Sequence, residues 1–291
     1  MTRTTLNPVI ALARVPTLGQ LFNPLNMTSN LWGHRDLIRQ FASREVQQMT
    51  KGTALGRLWR VITPLIRITI YSLVFGIMLK LRFRGDSHYA FFLFTGIIVF
   101  GLMNDAAGKC ATLMVSRSRF VKKLVFPVEI LPVSVLLSSL VIAATELLVL
   151  IVAFLIIEQD ISPWFWLFPI VMIPAFFLSL GVAWFLSAMC VFLEDVAEAS
   201  RIVVGTVLFF MTPIIYPLST IENIPDRFIV ARWIIEYNPF TILVESGRDV
   251  LLRGQLPDWG ALGVVTLVSL IVLQLGYAFF MKSKRGFADV L

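Results

Sequence analysis

The stretch Arg117 to Ser134, RSRFVKKLVFPVEILPVS, sets four cations and two prolines between two long hydrophobic runs. Lys and Arg accumulate in short loops on the cytoplasmic side of membrane spans, so this elbow is assigned to that face and fixes the polarity of every other segment. Phe126-Pro127 and Leu131-Pro132 disfavour helix at the residue before each proline, so the elbow is expected to hold one short helical turn or two between breaks. A structured loop at a membrane face suggests a docking surface.

The composition around the elbow excludes a soluble domain. Of the 291 residues, 57% are hydrophobic and 15% charged, with a mean hydropathy of +0.83, as expected of a polytopic membrane protein. The net charge of +7 does not point to nucleic acid, because the cations flank the apolar runs and no aromatic-basic RNA signature occurs. Cys110 and Cys190 both fall inside apolar runs and the chain has two histidines, which supports neither a disulfide framework nor a metal cluster. The first 30 residues lack a basic region followed by an apolar one, so no cleavable signal peptide is expected.

Upstream of the elbow, residues 1–30 carry Pro8, Pro16 and Pro24 and read as an irregular extension preceding the domain at 31–291. From Leu31 to Met49 the pattern is helical: Leu37, Ile38, Phe41, Ala42, Val46 and Met49 fall on one half of a wheel, with Arg39, Gln40, Ser43 and Gln47 opposite and Glu45 as a misfit on the apolar side. Trp32 and Trp59 bracket it, which favours an amphipathic helix lying in the interface with cations toward lipid phosphates, over a solvated helix beside the membrane. The first span is expected at about 61–81, with Pro64 in its first turn. Arg67, about two turns in, is either a functional contact or a snorkelling side chain. The second span, about 91–113, holds Asp105 and Lys109 four apart on one face, where they can neutralise each other.

Downstream, a third span at about 133–157 carries Glu146 near its middle with no obvious partner, either facing a wet channel or hydrogen-bonded between helices. A fourth span at about 164–192 opens with the interfacial aromatic run WFWLF, and a fifth at about 202–218 is broken by Pro213 and Pro217. The segments Phe228 to Ile235 and Thr241 to Leu252 are too polar to span twice and too apolar to be free loop, so two short helices dipping back into the outer leaflet are expected. A sixth span at about 259–281 leaves both termini cytoplasmic. The expected fold class is all-α integral membrane, with six transmembrane helices and an N-terminal interfacial helix.

No phosphate-binding GxxxxGK[ST] loop, Gly-rich dinucleotide loop or Ser/His/Asp arrangement occurs, so no nucleotide hydrolysis, cofactor binding or catalytic residue is expected of this chain. Asp105 and Glu146 are too few for the intramembrane acids of ion-coupled carriers.

Four stretches in order carry a resemblance: DLIRQFASREVQQMTKGTALGRLWRVITPL at 36–65, FVKKLVFPVEILPVS at 120–134, VFLEDVAEAS with TPIIYPLS between 191 and 219, and YNPFTILVESGRDVLL at 237–252. Together they resemble the permease subunits of ABC-2 type exporters of lipid-linked polysaccharide such as O-antigen or teichoic acid. The resemblance implies a homodimer in the bacterial inner membrane, working with two copies of a separate ABC ATPase that binds ATP and Mg. It implies that Leu37, Phe41 and Arg44 of the interfacial helix contact that ATPase. It places a coupling helix over Val121 to Ile130, with Lys122, Lys123, Phe126, Pro127 and Glu129, and a smaller contact at Glu194 and Asp195. Leu55 and Gly56 would lie at a lateral entrance for substrate. For a lipid diphosphate, Arg57, Arg60 and Arg67 are the candidate phosphate contacts, against a snorkelling role. Phe209, Phe210, Tyr216 and Tyr237 are candidates for an aromatic sugar path, against a packing role. Competing readings are an ABC-2 permease for a drug or small hydrophobic substrate, and a membrane prenyl-phosphate sugar transferase; the latter would draw on Glu194 and Asp195 but lacks a DxxD-like metal-binding pair.

Overall fold

The computed structural model describes residues 23–49, 51–79, 82–83, 87–122, 126–157, 162–223, 225 and 228–291. Residues 1–22, Lys80, Arg84, Asp86, Lys123 and Glu158 lie outside them.

The chain enters the described fold on a capped helix. Asn23 accepts a hydrogen bond from the Leu25 amide at 2.9 Å and Pro24 takes the first helical position, so α1 runs Pro24–Gly33. The end of the extension read as irregular is therefore helical. His34 breaks the line with φ −107° and ψ 15°, and α2 follows at Arg35–Gln48 with Ile38 buried against α7 (Ile130–Ile157). The single helix expected from Leu31 is thus two.

A turn at Gly56–Leu58, α3 (Trp59–Tyr71) and a π-helical stretch Ser72–Met78 form one apolar rod over Gly56–Met78. It begins earlier than expected, so Pro64 sits inside the helix rather than in its first turn. A small hairpin pairs β1 (Arg82–Phe83) with β2 (Ser87–His88). Next comes α4 (Tyr89–Asp105), with a π-helical turn Ala106–Cys110, then short helices α5 (Leu113–Ser116) and α6 (Ser118–Val121). In α4, 13 of 17 residues are buried, including Phe91, Phe92, Phe94, Val99 and Leu102. A helix apolar all round is the axis of a bundle, and α3, α7, α8 and α12 pack around it.

In the elbow, Phe126 and Pro127 are not helical, so no continuous helix runs over Val121 to Ile130; among the elbow's described residues before Phe126, the helical turn is α6. Pro132 does not break the chain either. It falls in the first turn of α7, where a missing N–H costs no helical bond. A turn at Phe165–Leu167 leads into α8 (Phe168–Phe192). Then α9 (Asp195–Ile202), a π-helical stretch Val203–Leu208 and α10 (Phe209–Met211) run on to Thr212, whose extended backbone (φ −101°, ψ 134°) ends them. A 3-10 turn Leu218–Asn223 follows. Two short helices come next: α11 (Ile229–Glu236), and α12 (Pro239–Arg248) with a π-helical turn Asp249–Arg253. The long α13 (Trp259–Ser283) and α14 (Phe287–Val290) close the chain. Among the described residues, five rods are long and apolar enough to cross a bilayer: Gly56–Met78, Tyr89–Cys110, Ile130–Ile157, Phe165–Phe192 and Trp259–Gly286.

The pair α8 and α13 shows how the bundle is tightened. Gly181 and Gly276 face each other so closely that a Cβ on Gly276 would stand 2.1 Å from the Gly181 carbonyl oxygen. Small residues let backbones approach where lipid supplies no hydrophobic drive between helices. Gly181 meets Gly276, Trp184 meets Tyr277 at 5.1 Å and Phe185 meets Phe279 at 5.0 Å, so the two helices run parallel. Their shared start carries exposed Trp166 and Trp259, an aromatic rim at the end of the bundle away from the elbow.

Candidate functional site

Polar residues in an apolar rod must face one another or water, and here they converge. Arg67 on α3, Asn104 and Asp105 on α4, Lys109 on its π-helical turn, and Ser139 and Glu146 on α7 line a cavity of about 390 Å³. Arg67 Nη1 lies 3.0 Å from Glu146 Oε1, and Lys109 Nζ lies 2.6 Å from Asp105 Oδ2, which also accepts from the Ser139 hydroxyl. The Asp105–Lys109 pair is as expected; the absence of a partner for Glu146 is not, because Arg67 comes from a helix 79 residues away in sequence. Arg67 therefore makes a specific contact. Its side chain keeps 46% of its exposure against 12% for Glu146, so the pair opens into the cavity. Two cations against two carboxylates leave a neutral, hydrogen-bonding wall suited to hydroxyl-rich or zwitterionic cargo passing apolar walls. Phe209 lines the same cavity and packs edge-on against Phe100 at 5.7 Å. Phe210 is exposed beside it, Tyr216 donates to the Phe210 carbonyl at 2.8 Å, and Tyr237 is 76% exposed. Of the four aromatic candidates, one reaches the cavity.

The three arginines read as phosphate contacts do not share a site. Arg57 and Arg60 lie about 15 and 10 Å before Arg67 along the rod, from the helical rise of ~1.5 Å per residue, and line a separate groove against α1, α2 and α7. Leu55 is exposed and Gly56 has φ +50°, a left-handed turn that side chains with a Cβ rarely adopt, where the chain bends into the rod.

At the elbow, Phe41, Phe120 and Phe126 form a ring cluster with centroids 5.1–5.6 Å apart. Glu45, the misfit of the amphipathic pattern, pairs with Arg117. Burial pushes the Arg117 guanidinium below its ordinary pKa, and the Glu45 carboxylate is its counter-charge. Glu129 is 3% exposed and turns inward: it accepts from Lys284 Nζ at 2.7 Å and Asn30 Nδ2 at 3.1 Å, while its carbonyl accepts from Trp184 Nε1 at 3.0 Å. The elbow is thus riveted to α1, α2, α8 and the end of α13. Leu37 and Pro127 are half-buried, whereas Arg44, Lys122, Glu194 and Asp195 are exposed. Glu129 is an internal anchor rather than a surface contact, and Lys123 lies outside the described residues.

Residues 36–252 match the model of the ABC-2 type transporter family. The chain belongs to that family. This ABC-2 transporter chain is 26% identical over 268 residues to the O-antigen export system permease protein RfbA of Klebsiella pneumoniae, covering 92% of the chain and 99% of that protein. It is 25% identical over 265 residues to the RfbA of Myxococcus xanthus, covering 91% and 99%. It is 21% identical over 245 residues to the polysialic acid transport protein KpsM of Escherichia coli, covering 84% and 92%.

The ABC-2 chain also carries a network that sequence reasoning missed. Arg248 on α12 is wholly buried. Its guanidinium donates to the carbonyls of Phe92 (3.2 Å), Pro213 (2.6 Å) and Ile214 (2.9 Å) and to Glu245 Oε1 (2.6 Å), and stacks 3.4 Å over the Phe92 ring. Arg253 bridges Glu245 Oε2 at 2.6 Å and Asp249 Oδ1 at 2.7 Å. The signal was present: Glu245, Arg248, Asp249 and Arg253 sit at helical spacings in a semi-apolar helix. Among the described residues no group of three metal-ligating side chains forms.

Proposed function

We propose that this chain is the permease subunit of an ATP-driven exporter that moves a lipid-linked polysaccharide across the bacterial inner membrane. The observation that carries the reading is the near end-to-end match to O-antigen export permeases, 92% of this chain against 99% of theirs. The polar cavity inside the bundle agrees with it, since a glycan needs hydrogen-bonding walls at a depth where lipid offers none.

The finer architecture follows the same reading. The helical stretch Asp195–Met211 is about 25 Å long at ~1.5 Å per residue, close to the hydrocarbon core of about 30 Å, and serves as the fifth of six spans. The short α11 and α12 dip back as outer gate helices, and both termini are cytoplasmic. Two copies of the chain enclose the path, and two copies of an ABC ATPase, which bind the ATP and Mg, dock on the elbow face. Rigid inner protrusions transmit their closure to the spans. Arg44, Lys122, Glu194 and Asp195, exposed at that face, are the contacts.

The test is reconstitution of the full chain with its cognate ABC ATPase in lipid. ATP hydrolysis stimulated by a lipid-linked glycan is the expected result, with Lys122→Glu and Glu194→Lys each weakening ATPase association while leaving the fold intact, because both side chains are exposed. A chain that binds no ABC ATPase overturns the reading.

A further inference from the structure

Between α1, α2, the start of α3 and the first third of α7 lies a groove of about 860 Å³, separate from the polar cavity. Its floor is apolar, formed by Ile38 with Val133, Leu137 and Leu140 of α7. Its rim is cationic. Arg35 and Arg39 reach it from α2, and Arg57 and Arg60 from the start of the first rod. No Asp or Glu lines it, and among the described residues no ion pair engages any of the four. Arg60 Nε is buried with no hydrogen-bond partner. Four guanidiniums on two elements repel one another unless an anion sits among them, and a buried donor left unmet is costly.

We propose that this groove is a binding site for an anionic phospholipid of the bilayer, its phosphate held by Arg35, Arg39, Arg57 and Arg60 and an acyl chain laid along α7. The depth fits. Val133 to Val141 covers about 12 Å of α7, from a rise of ~1.5 Å per residue, comparable to the apolar half-thickness of one leaflet, about 15 Å. Exposed Trp32 and Trp59 lie beside it, as side chains at headgroup level do. A resident lipid is favoured over transported cargo because the groove and the polar cavity share no lining residue, and Arg67 belongs to the cavity alone. Guanidinium forks suit phosphate oxygens, and the apolar floor excludes a free phosphate as the preferred occupant. The lipid then acts as a wedge joining the interfacial α2 to the first rod.

The experiment uses the full-length protein in phosphatidylcholine bilayers with a minor fraction of phosphatidylglycerol. Spin-labelled versions of each lipid report which one is motionally restricted by the protein. Phosphatidylglycerol should be preferred, and each arginine changed to glutamine should lower that preference about fivefold, with Arg57→Gln/Arg60→Gln abolishing most of it. Arg285→Gln, an exposed cation outside the groove, should leave it unchanged. Leu137→Trp keeps all four cations but fills the floor, and should also lose the preference, so the site remains testable if the arginine variants fold poorly. Equal restriction of the two lipids by the unaltered protein, or equal effects of Arg285→Gln and the groove variants, overturns the site. Displacement of phosphatidylglycerol by stoichiometric undecaprenyl diphosphate overturns the choice of occupant and gives the groove to a cargo-like lipid. None of these outcomes depends on ATPase coupling.

Discussion

Arg67 and Glu146 illustrate why a charge inside a membrane is rarely solitary. Moving either ion out of water costs several kcal/mol, which a 3.0 Å contact between α3 and α7 offsets in part. Removing one partner should cost more than removing both. Arg67→Met leaves the more buried carboxylate uncompensated, and Glu146→Leu leaves a half-exposed guanidinium that water can partly serve, so the first should lower stability more. In a double-mutant cycle read by thermal unfolding in detergent, the expected coupling is about 1–2 kcal/mol. Additive losses would mean that the pair carries no interaction. The same logic explains Glu45, which sits on the apolar side of α2 because Arg117 waits there.

At the level of elements, Arg248 ties together three pieces that have no continuous helix between them. The chain after α10 is broken at Thr212, and the carbonyls of Pro213 and Ile214 have lost their helical donors. Arg248 supplies replacements from α12 and fixes both to the start of α4 through Phe92. Asn238 secures the other side: it caps α12 through the Phe240 amide at 3.0 Å and reaches the Thr212 hydroxyl at 2.9 Å. Arg248→Lys keeps the charge but cannot reproduce a planar fork with several acceptors at once. It should loosen the segment around 212–225 by about 1–3 kcal/mol, the cost of buried polar groups left unmet, and Arg248→Met should loosen it further. Hydrogen exchange of the amides at 214–221 is the measurement; unchanged protection in both variants would remove Arg248 from the list of supports.

For the whole molecule, burial is unevenly distributed among the rods. The rod that contains α4 is mostly buried, whereas the rod that contains α3 is mostly exposed. An exposed α3 face of plain apolar residues could be covered by lipid, but this face carries Arg67 with 46% of its side chain exposed. A guanidinium at that depth does not face hydrocarbon. On the dimer proposed above, the second copy covers this face and closes the cavity into a shared path. Ile70 is one turn from Arg67 and 51% exposed, and the two native cysteines, Cys110 and Cys190, are buried. Ile70→Cys should yield a disulfide-linked dimer on mild oxidation in membranes, while Val264→Cys, on the exposed face of α13, should not.

Five long spans, the amphipathic α2, the break at the elbow's first proline and the broken segment after Thr212 were legible in the sequence, because bilayer thickness, helical periodicity and proline chemistry act locally along the chain. Asp105 and Lys109 were readable as a pair for the same reason, four residues apart on one helix. The partner of Glu146, the inward turn of Glu129, the separation of Arg57 and Arg60 from Arg67, and the burial of Arg248 were not. Each depends on which helices stand side by side. The α1 helix and the start of α7 were misjudged because Pro24 and Pro132 read as breaks when they stand in the first turns of helices. The sequence by itself determined that this chain crosses a membrane and where it bends, since each segment is partitioned by its own hydrophobicity. Only the tertiary structure decided which charges meet, because electrostatic pairing depends on distances across helices that no local pattern encodes.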